Sequence, residues 1–462
     1  MTKTVGVFVI LAALLAACGS SSRSATTRAT TTTTPRVTSS TVAPTTTQQA
    51  RSVRPYDAIL RQTVASLDRH WAKWLPEIYE SKYRRLKGGL YAYRSDTVTP
   101  KCDGSRYPYI LIRENAFYCP GDDLIAWDDE GLFPRLAKEH GELLLGVVLA
   151  HEWGHAIQYR ADLTYELDTI NAEQQADCFA GAWLADLDPK EPSEAKLVAL
   201  RDKSLDEVLS GFVEFRDYVG LDQRSTGSHG TAFDRIRAFQ DGYELGPEQC
   251  KTYPDVLPPL VGFAFRNLKE RFRGGNLPFV ELIPRAVSSL RDSTAVRPGI
   301  AIVDRSSVAG KKACTRPLRF TGSLARSVSG CLDGAGSVRF DRKGLQRWYD
   351  RFGDFAPATV LALAWTSVSL ASGEGGPGEG VSVGAASTRD SFLADCLAGR
   401  WAAGLVDFET PENSQLSPGD LDEAAQTMLA LAGDDPRPGR GFDRVRAFRI
   451  GILGGDCTTK VP

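Results

Sequence analysis

Residues 143–160, LLLGVVLAHEWGHAIQYR, constrain this chain more than any other stretch. The run is apolar on nearly every side, which is the pattern of a helix buried all round. Within it stands H-E-x-x-H, as His151-Glu152-Trp153-Gly154-His155. On a helix, residues four apart share a face, with Cβ atoms about 5–6 Å apart, so both imidazoles can reach one metal ion. Glu152 is adjacent and can lean toward a water on that metal, where a general base belongs. The plainer alternative is a core helix with two hydrogen-bonded histidines. The chain has only five histidines, at 70, 140, 151, 155 and 229, so two at this spacing carry information. His70 and His140 have no motif around them and read as structural.

A second stretch supports the metal reading. In residues 171–183, NAEQQADCFAGAW, the apolar positions Ala172, Ala176, Phe179, Ala180 and Trp183 follow helical spacing. Glu173 and Asp177 lie one turn apart on another side. A catalytic zinc site needs three protein ligands and an open position. Glu173 lies eighteen residues after His155, enough for a turn and a returning helix. Asp177 can then accept a ring N–H from a ligand histidine and fix its tautomer. Taken alone, both acids fit a solvated helix face; beside H-E-x-x-H they fit a ligand and its support.

HEWGHAIQ followed by EQQADCFAGAW resembles the bacterial neutral zinc metallopeptidase family, with its H-E-x-x-H-x-x-Q and E-x-x-x-D-C-x-A-G-x-W patterns. The resemblance covers about residues 55–250 and includes Tyr118-Cys119-Pro120, Ser228-His229-Gly230 and Phe233-Asp234-Arg235. It implies Zn²⁺ on His151, His155 and Glu173, with Glu152 catalytic.

The N-terminus reads as a targeting segment. Lys3 precedes an apolar core over residues 5–15 that is too short for a membrane span. Leu15-Ala16-Ala17-Cys18 resembles a bacterial lipobox, which implies cleavage after a signal peptide of residues 1–17 and a lipid on Cys18; a plain secretory signal is the alternative. Residues 18–52 are Ser/Thr-rich and cannot bury a core, so they read as a flexible tether. The expected location is the extracytoplasmic face of a bacterial cell membrane, with a lipid anchor. The net charge of −2 implies no general attraction to nucleic acid, and no basic aromatic patch or phosphate-binding glycine loop occurs.

Residues 56–86 read as a helix, and 91–127 as short strands: LYAYRS, YPYILIRE, AFYC and DLIAWD. A small sheet beside the metal helix could bind an extended substrate or be purely structural. Residues 132–159 read as the metal helix with its lead-in; 196–219 and 233–243 read as further helices. His229, in SHGT, fits either a donor to an oxyanion or a turn histidine capping the next helix.

The second half repeats the first. QADCFAGAW at 175–183 recurs as LADCLAGRW at 393–401, and FDRIRAF at 233–239 as FDRVRAF at 442–448. Cys102 and Cys119 recur 212 positions later as Cys314 and Cys331. At that shift His151, Glu152 and His155 fall on Leu363, Ala364 and Ser367; in the alignment of QADCFAGAW with LADCLAGRW, Glu173 matches Ser391. The expected fold is therefore α+β and predominantly helical: two tandem zincin-like repeats, each with a small sheet, over 53–252 and 253–462, the second without metal ligands.

Nine cysteines less Cys18 leave eight, four per half. An exported chain favours disulfides. The expected pairs are Cys102–Cys119, Cys178–Cys250, Cys314–Cys331 and Cys396–Cys457. The expected function is a zinc metallopeptidase acting on peptides or proteins in the cell envelope. The alternative is a lipoprotein that binds another envelope protein through its second half, with a vestigial or structural zinc.

Overall fold

A helix that is apolar on every side needs neighbours on every side, and the computed structural model supplies them. It describes residues 53–163, 169–223, 225–256, 258–295, 299–372, 382–383, 388–408, 410, 413–434, 440–459 and 461. The expected signal peptide, Cys18 and the tether lie outside the described residues.

The first half runs α1 (Asp57–Tyr79), β1 (Gly89–Tyr93), β2 (Lys101–Cys102), β3 (Ser105–Arg106), α2 (Tyr109–Ile112), β4 (Ala116–Cys119), β5 (Leu124–Asp128), α3 (Leu132–His140), α4 (Glu142–Arg160), α5 (Thr169–Ala185), α6 (Ala195–Glu214), α7 (Ala232–Leu245) and α8 (Pro247–Lys251). The second continues with α9 (Leu268–Phe272), α10 (Phe279–Asp292), β6 (Ala301–Asp304), β7 (Pro317–Phe320), α11 (Gly322–Ala325), β8 (Val328–Cys331), β9 (Ser337–Phe340), α12 (Arg342–Phe352), α13 (Phe355–Ser372), β10 (Ser382–Val383), α14 (Thr388–Ala403), α15 (Asp420–Ala432) and α16 (Arg440–Ile452). The fold is α+β and mostly helical.

Helix α4 carries the H-E-x-x-H motif and is packed by α1, α3, α5, α6 and strand β4. Gly154, between the two motif histidines, lets α5 come close: a Cβ there would sit 2.9 Å from the Ala176 Cα. On the far side of α5, Gly181 faces the Phe239 carbonyl of α7, which a side chain would strike. Small residues thus stack three helices at backbone distance.

Several boundaries differ from the sequence reading, among them the helix expected over 196–219, which ends at Glu214. Residues 109–112 form a helical turn rather than a strand, entered through Pro108. Proline has no N–H for a ladder, and Ile110 and Leu111 stay exposed, so apolar composition alone misleads there. The lead-in and the metal helix are separate, because Gly141 at φ 82° turns the chain between α3 and α4. Helix α1 stops at Tyr79, where Glu80 turns left-handed at φ 53°.

In the first sheet, of order β1-β5-β4, β1 is parallel to β5 and β4 is antiparallel to it. In the second, of order β10-β7-β8-β9-β6, β6 is parallel to β9 and β8 antiparallel to β9. The cystines are Cys102–Cys119, Cys178–Cys250, Cys314–Cys331 and Cys396–Cys457, with Cα separations of 5.6, 5.5, 5.9 and 5.7 Å. Helix α13 is long and apolar enough to cross a membrane, but 89% of its span is buried inside the protein, as in a core helix.

The halves share one continuous apolar core and exchange helix caps. Asp206 of α6 accepts the amides of Gly441 and Phe442 at the start of α16, at 2.9 and 2.8 Å. Reciprocally, Asp422 of α15 accepts the amide of Phe233 at the start of α7, at 2.9 Å, and pairs with Arg216 at 3.1 Å. Each carboxylate satisfies amides that a helix start leaves bare.

Candidate metal centre

His151 and His155 project from one face of α4, and their Nε2 atoms stand 3.1 Å apart. Helix α5 returns antiparallel and brings Glu173 between them. Its Oε2 lies 3.1 Å from His151 Nε2 and its Oε1 3.5 Å from His155 Nε2. Bonds of about 2.0–2.1 Å in a tetrahedron leave ligand atoms about 3.3 Å apart, so these spacings fit one small cation.

The other ring nitrogens are tied down. His151 Nδ1 is 2.8 Å from Asp177 Oδ1. His155 Nδ1 is 2.9 Å from Gln158 Oε1. The Gln158 amide nitrogen donates to the Ala172 carbonyl at 2.7 Å and to Gln175 Oε1 at 3.1 Å, so its oxygen must accept. Both Nδ1 atoms therefore carry protons, and both Nε2 atoms offer lone pairs to the centre. Glu173 Oε2 is buried with no hydrogen-bond partner among the described residues. Two lone pairs and a bare carboxylate oxygen make a donor set suited to Zn²⁺.

The electrostatics show an excess of negative charge at the centre. Burial works against a charged His151, yet the charges of Asp177 and Glu173 outweigh it and lift its pKa to about 10. Burial likewise opposes ionised Glu173, but the surrounding imidazoles hold its carboxyl well below the usual carboxylate range. The pocket is short of positive charge.

Asp177 has a second partner. Arg235 of α7 grips it through Nε at 2.8 Å and Nη2 at 2.9 Å, while Arg235 Nη1 donates to the Phe215 carbonyl at 2.8 Å. Burial opposes ionisation of Asp177, and the Arg235 guanidinium overcomes it and lowers the pKa. The same pair stands in the second half, where Arg444 Nη2 lies 2.8 Å from Asp395 Oδ1. There no histidine follows: Ser367 bonds back to the Leu363 carbonyl at 2.6 Å, and Asp395 Oδ2 is buried with no hydrogen-bond partner among the described residues. Burial there raises the Asp395 pKa.

His229 reaches the same centre, with Nε2 3.9 Å from Glu173 Oε2 and Nδ1 3.5 Å from Asp217 Oδ1. The cap of α7 is Thr231, whose hydroxyl accepts the Asp234 amide, so His229 has no capping duty. Asp217 holds the loop by accepting from Ser228 Oγ at 2.6 Å and from the amides of His229 and Gly230 at 2.8 and 2.7 Å. Of the remaining histidines, His70 Nδ1 meets Asp186 at 2.9 Å and His140 Nε2 meets Glu214 at 2.6 Å, both away from the cluster.

A cavity of about 500 Å³ opens beside these groups. Glu152, His151 and His229 line it, together with Leu144, Val147, Val148 and Phe212. Strand β4 borders it through Ala116 and lies at the edge of its sheet.

Sequence reasoning left Gln158, Asp217 and Arg235 without roles. Gln158 had a local signal, the third residue after His155. Asp217 sits in an irregular loop with none.

Comparison with known proteins finds a family match over the first half. Residues 1–253 match the model of the family described as "Putative neutral zinc metallopeptidase". The uncharacterized protein YpfJ of Escherichia coli K12 is 30% identical over 164 residues, 30% of this chain and 53% of that protein. The uncharacterized protein Rv2575 of Mycobacterium tuberculosis H37Rv is 27% identical over 160 residues, 30% of this chain and 54% of its own length. The chain thus spans about half the length of the curated relatives it matches. No solved structure matches. With the family match covering more than half of its length, this chain belongs to the neutral zinc metallopeptidase family.

Proposed function

We propose that this chain is a zinc-dependent endopeptidase of the bacterial cell envelope. The observation that carries the reading is the convergence of His151, His155 and Glu173 beside a cavity into which Glu152 opens. His151 and His155 through Nε2, and Glu173 through its carboxylate, would hold the ion. When bound, Zn²⁺ supplies a Lewis acid that polarises a carbonyl and acidifies water toward a pKa of about 7.

The chain's own residues do the rest. Glu152 takes a proton from the attacking water as the new C–O bond forms. It returns that proton to the amide nitrogen as the C–N bond breaks. Asp177 and Gln158 keep the two ligand rings in one orientation. His229 faces the same space and donates to the oxygen that gains charge at the scissile carbonyl. The free edge of β4 offers a strand partner to an extended substrate, and the apolar cavity wall receives one of its side chains.

The second half is, in this reading, a degenerate copy of residues 53–252 that no longer handles metal. Its strands pair in the same parallel-then-antiparallel order, its Asp395–Arg444 pair matches Asp177–Arg235, and its cystine at 314 and 331 sits 212 positions after the first. We read it as a brace for the catalytic half, and secondarily as a surface for another envelope protein. Residues 1–17 act as a signal peptide, Cys18 carries the lipid, and the stretch to residue 52 is the tether. No part of this reading involves nucleic acid.

Glu152→Gln tests the mechanism. The variant should retain one zinc per chain by elemental analysis and lose at least about 100-fold in hydrolysis of an unfolded protein. A variant that cleaves as fast as the parent would remove Glu152 from the role of base.

A further inference from the structure

A second cluster of metal-competent groups lies in the half that lacks the histidines. Asp354, Asp420 and Glu423 expose only 3%, 6% and 7% of their surface, and one ligand atom from each lies within 4.8 Å of the others. They come from three places: the turn before α13 and two positions in the first turn of α15.

Each carboxylate is aimed by a backbone amide. Glu423 Oε2 accepts from Phe355 N at 2.7 Å, Asp354 Oδ2 from Leu277 N at 2.8 Å, and Asp420 Oδ2 from Ser417 N at 2.8 Å. Three amide donors favour the ionised acids. Asp354 Oδ1 remains buried with no hydrogen-bond partner among the described residues. Gly353 keeps the space open: at φ 114° it carries no side chain, and a Cβ there would strike the Glu423 carboxylate.

The nearby arginines are engaged elsewhere. Arg266 is held by Glu270 at 2.5 Å and Arg216 by Asp422 at 3.1 Å. Among the described residues no lysine, arginine or histidine forms an ion pair with any of the three. Three buried carboxylates without a counter-charge are strongly unfavourable. Burial, reinforced for Asp420 and Glu423 by the neighbouring carboxylates, pushes all three pKa values up.

We infer that Asp354, Asp420 and Glu423 form a site for one divalent hard cation, calcium. Carboxylate oxygens with no nitrogen or sulfur donor select such an ion over zinc. Bound there, it joins the start of α13, the chain at Leu277 and the start of α15. The same turn of α15 presents Asp422 to the first half, so the ion also steadies the cap on α7.

The test uses the full chain, stripped of metal and reloaded with one equivalent of zinc. Titration with CaCl₂ should reveal one saturable site with a dissociation constant below about 1 mM and raise the unfolding midpoint by at least about 2 °C. Asp420→Asn and Glu423→Gln should each weaken calcium binding at least tenfold while leaving zinc content at one per chain. Should these variants fail to fold, Tb³⁺ luminescence decides. The ring of Trp401 stacks on Phe355 at 5.6 Å and should sensitise the bound ion, so Trp401→Phe should cut that emission at least threefold. No saturable calcium binding up to 10 mM, undiminished binding in both carboxylate variants, or Tb³⁺ emission unchanged by Trp401→Phe would overturn the assignment.

Discussion

Asp177→Asn separates two jobs that one carboxylate performs. Asp177 orients His151 at 2.8 Å and holds Arg235 through two contacts of 2.8 and 2.9 Å. Asparagine keeps the shape and one acceptor but loses the charge. Arg235 is buried, so it would be left as a cation without a carboxylate, a change that costs about 3–5 kcal/mol when nothing replaces the partner. Loss of the acid on the far side of a ligand histidine lowers metal affinity by about 10–100-fold, or about 1.4–2.8 kcal/mol. The second half provides a built-in control, because Asp395 holds Arg444 at 2.8 Å with no histidine beside it. Asp395→Asn should therefore lower stability and leave zinc affinity unchanged. The assays are urea unfolding of the zinc-free protein and zinc competition against a calibrated chelator. Zinc affinity within threefold of the parent in folded Asp177→Asn, or an equal loss in Asp395→Asn, would refute the argument that this carboxylate orients His151.

Two further outcomes follow from the packing. Burial drives the His70 pKa below its ordinary value despite the opposing Asp186, so His70 is neutral when folded and titrates higher when unfolded. The unfolded chain then binds more protons as pH falls below about 6.5, and stability drops by up to about 1.4 kcal/mol per pH unit until the folded pKa is passed; His70→Gln should flatten that slope in thermal unfolding measured from pH 8 to 5. Gly154→Ala should push α4 and α5 apart at Ala176, costing about 1–3 kcal/mol by denaturant titration and weakening zinc binding, because Glu173 rides on the displaced helix; unchanged zinc affinity would count against backbone contact as the element that sets the ligand spacing.

What could be read from the chain beforehand was whatever local spacing encodes. His151 and His155 are one helical turn apart, so their shared face follows from the period alone. Glu173 and Asp177 follow from the same period once a returning helix is granted. The turn at Gly141 hid because its neighbours are all good helix formers, and the helix at 109–112 because Tyr and Ile suit strands equally well. Asp217 was invisible for another reason: its partners at 228–230 are reached through an irregular loop with no period to follow. The carboxylates at 354, 420 and 423 are drawn together only by the packing of α15 against α13. Arg235 lay within view in FDRIRAF, but nothing in its neighbours says that it crosses to another helix.

The exchanged caps, α6 on α16 and α15 on α7, make the molecule a clasp rather than a string of beads. Breaking the chain after α8 would strip the Phe233 amide, at the start of α7, of its acceptor, close to where Arg235 braces α5. A half without the H-E-x-x-H histidines can still be indispensable as the splint against which the half that carries them is set. Its sequence is then free to drift at every position except those that hold the splint in place.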